Sequence, residues 1–176
     1  MDARVVPVLV KNGQGQNVVK EMRFGLIPAH YTCFASAWTA STTHARLETV
    51  ATLASFKNAW ARKRRVIFPL EHFVEKTKAR ADLFGTSRGM VRVAIKRADD
   101  KPFGVAGIWD YARYAAEGPI LSAAMLTRAP GKRMQEIHDR EPVVLEPEDF
   151  EAWLGGADLD LETPWGDDAF QISRAA

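Results

Sequence analysis

Short runs of β-branched and aromatic residues recur along the chain, each cut off by a turn signal, with no strand–helix–strand alternation between them. That pattern excludes a doubly wound parallel sheet and leaves an α+β class: one antiparallel, β-barrel-like domain with short peripheral helices. Residues 4–28, RVVPVLVKNGQGQNVVKEMRFGLIP, read as a hairpin turning at Asn12-Gly13, a pair that tolerates positive φ. VIFP at 66–69 and HFVEK at 72–76 read as short strands. Residues 91–97, 103–111 and 119–127 read as three antiparallel strands joined by turns at Asp99-Asp100 and Glu117-Gly118. PVVL at 142–145 is a further strand, and the tail DDAFQISRAA ends in an edge strand.

Helical periodicity is scarce. In ETVATLASFKNAWARKRR, residues 48–65, Leu53, Phe56 and Trp60 follow 3/4 spacing, and Arg62 to Arg65 complement the helix dipole. PGKRMQEIH suits a short helix or turn, and EPEDFEAWL a helix with Pro147 in its first turn. Residues 29–45, AHYTCFASAWTASTTHA, form a long loop, which in a small domain more often carries function than idles.

The 176 residues fit one domain with a sizeable core, and 47% apolar with 26% charged residues is a globular balance. No run is long enough to span a membrane and no signal peptide opens the chain. Cys33 is the sole cysteine, so no internal disulfide forms, which suits a reducing, cytoplasmic setting. It reads more readily as a buried small apolar residue than as a reactive thiol. Residues 1–140 carry 23 Lys and Arg against 12 acids, whereas 141–176 carry one Arg against 10 acids. A basic body of this kind suits a polyanion, or is simply solvated surface.

Three histidines precede a glutamate by three or four residues: His44 and Glu48, His72 and Glu75, His138 and Glu141. On a helix that spacing could ligate a metal, but His72 and His138 lie in strand or turn, where i and i+3 face opposite sides. No metal site and no cofactor is expected. Gly-x-Ser-x-Gly elbows and Gly-rich phosphate loops do not occur. Glu75 stands in an otherwise apolar strand, where a carboxylate gains a raised pKa and acid–base capability, or else faces solvent from an edge. His138, Asp139, Arg140 and Glu141 crowd against an apolar strand, as the rim of an active site or as a solvated turn.

In order along the chain, RFGLIP resembles a Trp-Gly-Leu-Ile-Pro segment, THARLET resembles Asn-Ala-Arg-x-Glu-Thr, and RRVIFPLEHFVEK resembles Arg-Cys-Leu-Ile-Pro-Ala-Asp-Gly-Phe-Tyr-Glu-Trp. AGIWD is similar to Ala-Gly-Leu-Trp-Glu, IHDREPVVL to Ile-His-x-Arg-Met-Pro-Val-Ile-Leu, and FQISRAA to a closing Pro-Val-Ser strand. These are the motifs of the SOS response-associated peptidase (SRAP) family, and together they cover nearly the whole chain. The resemblance implies a protein of the DNA damage response that binds single-stranded DNA and cross-links abasic sites through an N-terminal cysteine. It places Glu75 on the catalytic glutamate, His138 on the catalytic histidine, and His44 where the family has a positioning asparagine. Arg46 and Arg140 fall on phosphate-contacting arginines, Thr127 on a polar residue lining the site, and Tyr31 on a base-stacking aromatic.

The chain opens Met1-Asp2-Ala3 where the family opens Met-Cys-Gly-Arg. The expectation is therefore a divergent, phage-borne member lacking an N-terminal segment, or one whose true start lies upstream and supplies the cysteine, with covalent and self-processing peptidase chemistry in doubt for the chain as it stands. It would be a monomer that binds DNA and abasic sites and no membrane. The alternative is a hydrolase or metalloenzyme built on Glu75 and His138.

Overall fold

Burial alternates along the opening strand: Val8 and Val10 enter the core while Val5 and Pro7 face outward. The computed structural model describes residues 4–78 and 89–175; the opening Met1-Asp2-Ala3 lies outside them. Strands β1 (Val5–Lys11) and β2 (Asn17–Phe24) pair as the expected hairpin. The turn is wider than Asn12-Gly13 suggested. Asn12 Oδ1 accepts from the N–H groups of Gln14 at 2.9 Å and Gln16 at 3.0 Å, and Gly15 rather than Gly13 takes positive φ.

A large mixed sheet continues from this hairpin. Its further strands are β3 (His44–Arg46), β4 (Arg65–Leu70), β7 (Phe103–Ala112), β8 (Ile120–Arg128), β9 (Glu141–Pro142) and β10 (Val144–Leu145). The neighbours run β10-β7-β4-β1-β2-β8-β3, with β9 on β8. Because β7 also pairs with β8, the pairings β4–β1–β2–β8–β7 return to β4. Most pairs are antiparallel, but β8 takes both β2 and β3 in parallel, a departure from the antiparallel pattern expected. The long connections between these strands permit it, since parallel neighbours need a crossover.

A second sheet of three strands contains β5 (Phe73–Lys78), β6 (Met90–Arg97) and β11 (Phe170–Arg174), in the order β11-β6-β5. Thus β6 does not pair with β7, although the two are consecutive in sequence. Asp100, at positive φ, turns the chain between them, and Val93 and Ile95 of β6 pack into the same core as Val8, Phe68 and Phe170. The tail does form an edge strand, as its pattern suggested.

Among the described residues the α-helices are α1 (Lys57–Ala61), α2 (Lys132–Gln135) and α3 (Phe150–Leu154), the last preceded by a 3-10 turn at Pro147–Asp149. The helix expected over 48–65 shrinks to α1. Residues 49–55 are turns, where Thr52 Oγ1 donates to Thr49 O, a local bond that competes with helix, and Leu53 is exposed. A second core cluster, with Leu26, Ile67, Ile108, Leu126 and Trp153, lies beneath α1 and α3. Gly107 lets β7 approach its neighbours: a Cβ there would stand 2.4 Å from the Phe68 ring and 2.7 Å from Ala124 O. Among the described residues no helix is long and apolar enough to cross a membrane.

Candidate functional site

Strand β3 is only three residues long, and its alternation builds half of a cleft. Ala45 is fully buried, so His44 and Arg46 both point out on the opposite face. Parallel pairing sets Arg46 beside Thr127 of β8, and β9 sets Pro142 on the other side of Thr127. The loop leading to β3 is pinned by buried side chains: Ser122 Oγ accepts Ile27 N–H at 2.8 Å, and Asp110 Oδ2 accepts Ala29 N–H at 2.8 Å.

The His138-Asp139-Arg140 turn forms the facing wall. Buried Met134 and Ile137 hold its start, and His138 N–H donates to Met134 O at 2.9 Å. Its end is held by Glu141, 2% exposed, whose Oε1 accepts from Arg128 Nε and from Trp165 N–H, both at 2.8 Å, while Oε2 accepts Gly131 N–H at 2.9 Å. Four charged or polar residues crowd the start of an apolar strand because two face the cleft and one anchors the turn beneath it.

Glu75 arrives from the second sheet. On β5 it shares a face with Phe73 and with buried Thr77, so it turns toward the protein although β5 is an edge strand. His44, Arg46, Glu75, Thr127, His138 and Arg140 thus line one cleft of about 350 Å³ where the two sheets meet. Glu75 Oε2 stands 3.9 Å from His138 Nε2. The gap of 63 positions between them in sequence is closed by the sheets.

The electrostatics suit proton transfer. Desolvation pushes the Glu75 pKa up; nearby His138 opposes that, Asp139 reinforces it, and the Lys76 backbone N–H opposes it. His44, with the Phe24 ring edge-on at 5.7 Å, has its pKa lowered by desolvation and then by His138. The His138 ring is oriented by its own turn: Arg140 N–H donates to Nδ1 at 3.0 Å, which in the neutral ring leaves Nε2–H facing Glu75. In the imidazolium, Nδ1–H has Asp139 Oδ1 at 3.1 Å. Both protonation states therefore have partners.

A profile of the SOS response associated peptidase (SRAP) family matches residues 2–169. The chain belongs to the SRAP family. Among curated SRAP relatives, the Bacillus subtilis abasic site processing protein YoqW is 26% identical over 85% of this chain and 62% of its own length. The Saccharomyces cerevisiae abasic site processing protein YMR114C is 27% identical over 84% of this chain and 36% of its own. The chain therefore spans about three fifths of the length of the bacterial relative and about one third of the yeast one. A crystal structure from Bordetella bronchiseptica superposes with a TM-score of 0.84 at 26% identity, covering 99% of this chain and 85% of that one. One from Bacteroides thetaiotaomicron gives 0.80 at 20% identity, over 98% of this chain and 74% of that one, a likeness of fold. None of these likenesses supports the hydrolase or metalloenzyme alternative.

Of the seven residues to which the family resemblance assigned a role, Tyr31 alone stands outside the cleft lining. Its ring packs edge-on to Trp38 at 4.9 Å and its hydroxyl donates to Phe34 O at 3.1 Å, within the long loop. The same loop exposes the Phe34 ring, which no sequence signal distinguished. Cys33 is exposed, not buried, because the loop turns its side chain outward and only Ala35 beside it enters the small core there. The three His–Glu pairs do not act as pairs. Glu48 binds Arg140, Glu75 faces His138, and Glu141 binds Arg128. Among the described residues no three His, Cys, Asp or Glu converge as metal ligands.

Proposed function

We propose that this chain binds single-stranded DNA at abasic sites in the DNA damage response, and that Glu75 and His44, with His138 beside Glu75, perform acid–base chemistry on the exposed deoxyribose. The observation that carries this reading is the meeting of Glu75, His138, His44 and two arginines in one cleft, in a family with relatives named for abasic site processing. The circuit of five paired strands is, on this reading, a barrel-like single domain whose mouth is the cleft, acting as a monomer in the cytoplasm.

An abasic deoxyribose closes on itself as a hemiacetal. Opening it removes the proton of the C1′ hydroxyl and adds one to the ring oxygen, leaving a free aldehyde. Glu75, biased toward its neutral form by burial, is suited to protonate the ring oxygen. A neutral imidazole is suited to take the hydroxyl proton: His44, held toward that form by burial, since the neutral His138 ring presents Nε2–H and keeps its Nδ1 lone pair on Arg140 N–H. The resulting Glu75 carboxylate has His138 Nε2 at 3.9 Å to steady its charge, while the His44 imidazolium in the same cleft balances it and can return the proton. Arg46 supplies charge for the backbone, while Tyr31 and exposed Phe34 offer rings on which unpaired bases stack.

Fluorescence anisotropy with a labelled single strand carrying one abasic site, and with the matching duplex, tests the binding. The single strand should bind tighter and lose affinity steeply as salt rises. Equal affinity for both forms would sink the reading. Glu75→Gln should retain binding while slowing protein-accelerated aldehyde unmasking, followed with an alkoxyamine probe, by roughly a hundredfold or more.

A further inference from the structure

Arg140 has no free fork to offer. Its Nη1 donates to Glu48 Oε1 at 2.7 Å, and its Nη2 donates both to Glu48 Oε2 at 2.8 Å and to Thr127 O at 2.7 Å. Its Nε has neither a partner nor accessible surface. Of the five guanidinium N–H groups, one on Nη1 remains. A phosphate gripped in the bidentate manner needs two neighbouring N–H groups, and the carboxylate of Glu48 holds both.

We propose that Glu48 occupies on Arg140 the place of a DNA phosphate, and that strand binding exchanges the carboxylate for the phosphate. This inference rests on the single-strand-binding function proposed above. The two partners differ in how easily they let go. The Arg140 side chain is 18% exposed and tethered to the β8 backbone, whereas the Glu48 side chain is 51% exposed and starts beyond the end of β3. Glu48 can swing into water at small cost, since an exposed carboxylate rehydrates readily. Arg140 cannot follow it without giving up its own bond to Thr127 O, which would then keep only the Leu47 N–H. The arginine therefore stays as the fixed receptor and the glutamate is the leaving anion. Arg46, two residues before Glu48 in the chain, lines the same cleft and is positioned to hold the incoming phosphate from its other side.

The exchange makes Glu48 a residue that sets how strong an anion must be to enter. A phosphodiester tied to neighbouring nucleotides displaces it; a lone weak anion does not. Glu48 has this role although it is neither a metal ligand nor an acid of the reaction.

Anisotropy titrations of a fluorescein-labelled oligothymidine test the exchange, with circular dichroism confirming the fold of every variant. Glu48→Gln should bind roughly three- to fivefold tighter than the unsubstituted chain. Glu21→Gln, which removes the same charge from exposed β2, should stay within about twofold of it. In an Arg140→Gln background the further change Glu48→Gln should gain no more than Glu21→Gln does. Affinity of Glu48→Gln equal to or weaker than the unsubstituted chain, or a gain that survives in Arg140→Gln, overturns the exchange while leaving the binding function standing. No binding of the oligonucleotide by the unsubstituted chain removes that function, and the exchange with it.

Discussion

Two atoms of Phe68 and one carbonyl decide what residue 107 is. A Cβ on Gly107 would meet the ring at 2.4 Å and Ala124 O at 2.7 Å, so Gly107→Ala must push β7 off its neighbours. Overpacking of this kind should lower stability by about 1–3 kcal/mol, read as a fall in the urea midpoint at unchanged slope. Glu75 makes the opposite case. Its pKa is raised in the folded chain, so the folded state holds the proton more tightly than the unfolded one. Below the unfolded carboxylate range this makes no difference; as pH climbs from the unfolded pKa to the folded one, stability is lost. Glu75→Gln should therefore be more stable than the unsubstituted chain near neutral pH, with the advantage shrinking on acidification. A denaturation series across pH 3 to 8 checks this; a constant difference would mean that the burial of Glu75 carries no charge penalty. At this scale Glu75, His138 and Arg46 were legible as residues of one cleft, because each falls in a short motif, whereas Thr127 lies outside those motifs and came only with the family resemblance. Glu48 was not legible as a partner of Arg140. The two are 92 residues apart, and nothing local in either segment announces the other.

Among the elements, the most consequential is the two-residue strand β9. Its Glu141 is 2% exposed, and its carboxylate ties β8 through Arg128, the start of α2 through Gly131, and the last loop through Trp165. Glu141→Ala leaves Arg128, itself 4% exposed, as a buried cation with no carboxylate, a loss of about 3–5 kcal/mol. Thermal melts should show it, and single-strand binding should weaken with it because the His138 turn loses its anchor. A variant as stable as the parent would mean that water or Leu161 O satisfies Arg128 alone. Element by element, most strands and their approximate bounds were readable from alternation and turns, but β3 was not, since the loop-like run of 29–45 extends through its His44 and Ala45. Helix α1 was misjudged in length because 3/4 spacing at three residues does not report on the turns before it, where Leu53 is exposed rather than buried. The separation of β6 from β7 was unreadable too, since consecutive strands pair by default, whereas both edges of β6 are taken by β5 and β11.

Across the whole molecule, the basic body and the acidic last fifth of the chain are halves of one arrangement. Lys11 pairs with Glu151, Lys63 with Asp158, Arg97 with Glu146 and Arg128 with Glu141, so much of the C-terminal acid is folded back onto the preceding base. Charge counts along the sequence revealed the imbalance but not its internal cancellation. For a DNA-binding surface the relevant cations are those of the cleft. Arg46→Gln should accordingly flatten the salt dependence of single-strand binding by roughly one phosphate's share, about 0.7 in log–log slope, whereas Lys63→Gln should leave it unchanged. Strand β8, residues 120–128, pairs with β2, β3, β7 and β9 alike. On a ribosome this strand emerges after two thirds of the chain is already outside. Until then β2 of the first hairpin, β3 and β7 each have an open edge with no lawful neighbour, and any passing strand can take the place reserved for β8. The nascent protein thus depends on a timetable, with its vulnerable interval ending when a single nine-residue segment is delivered.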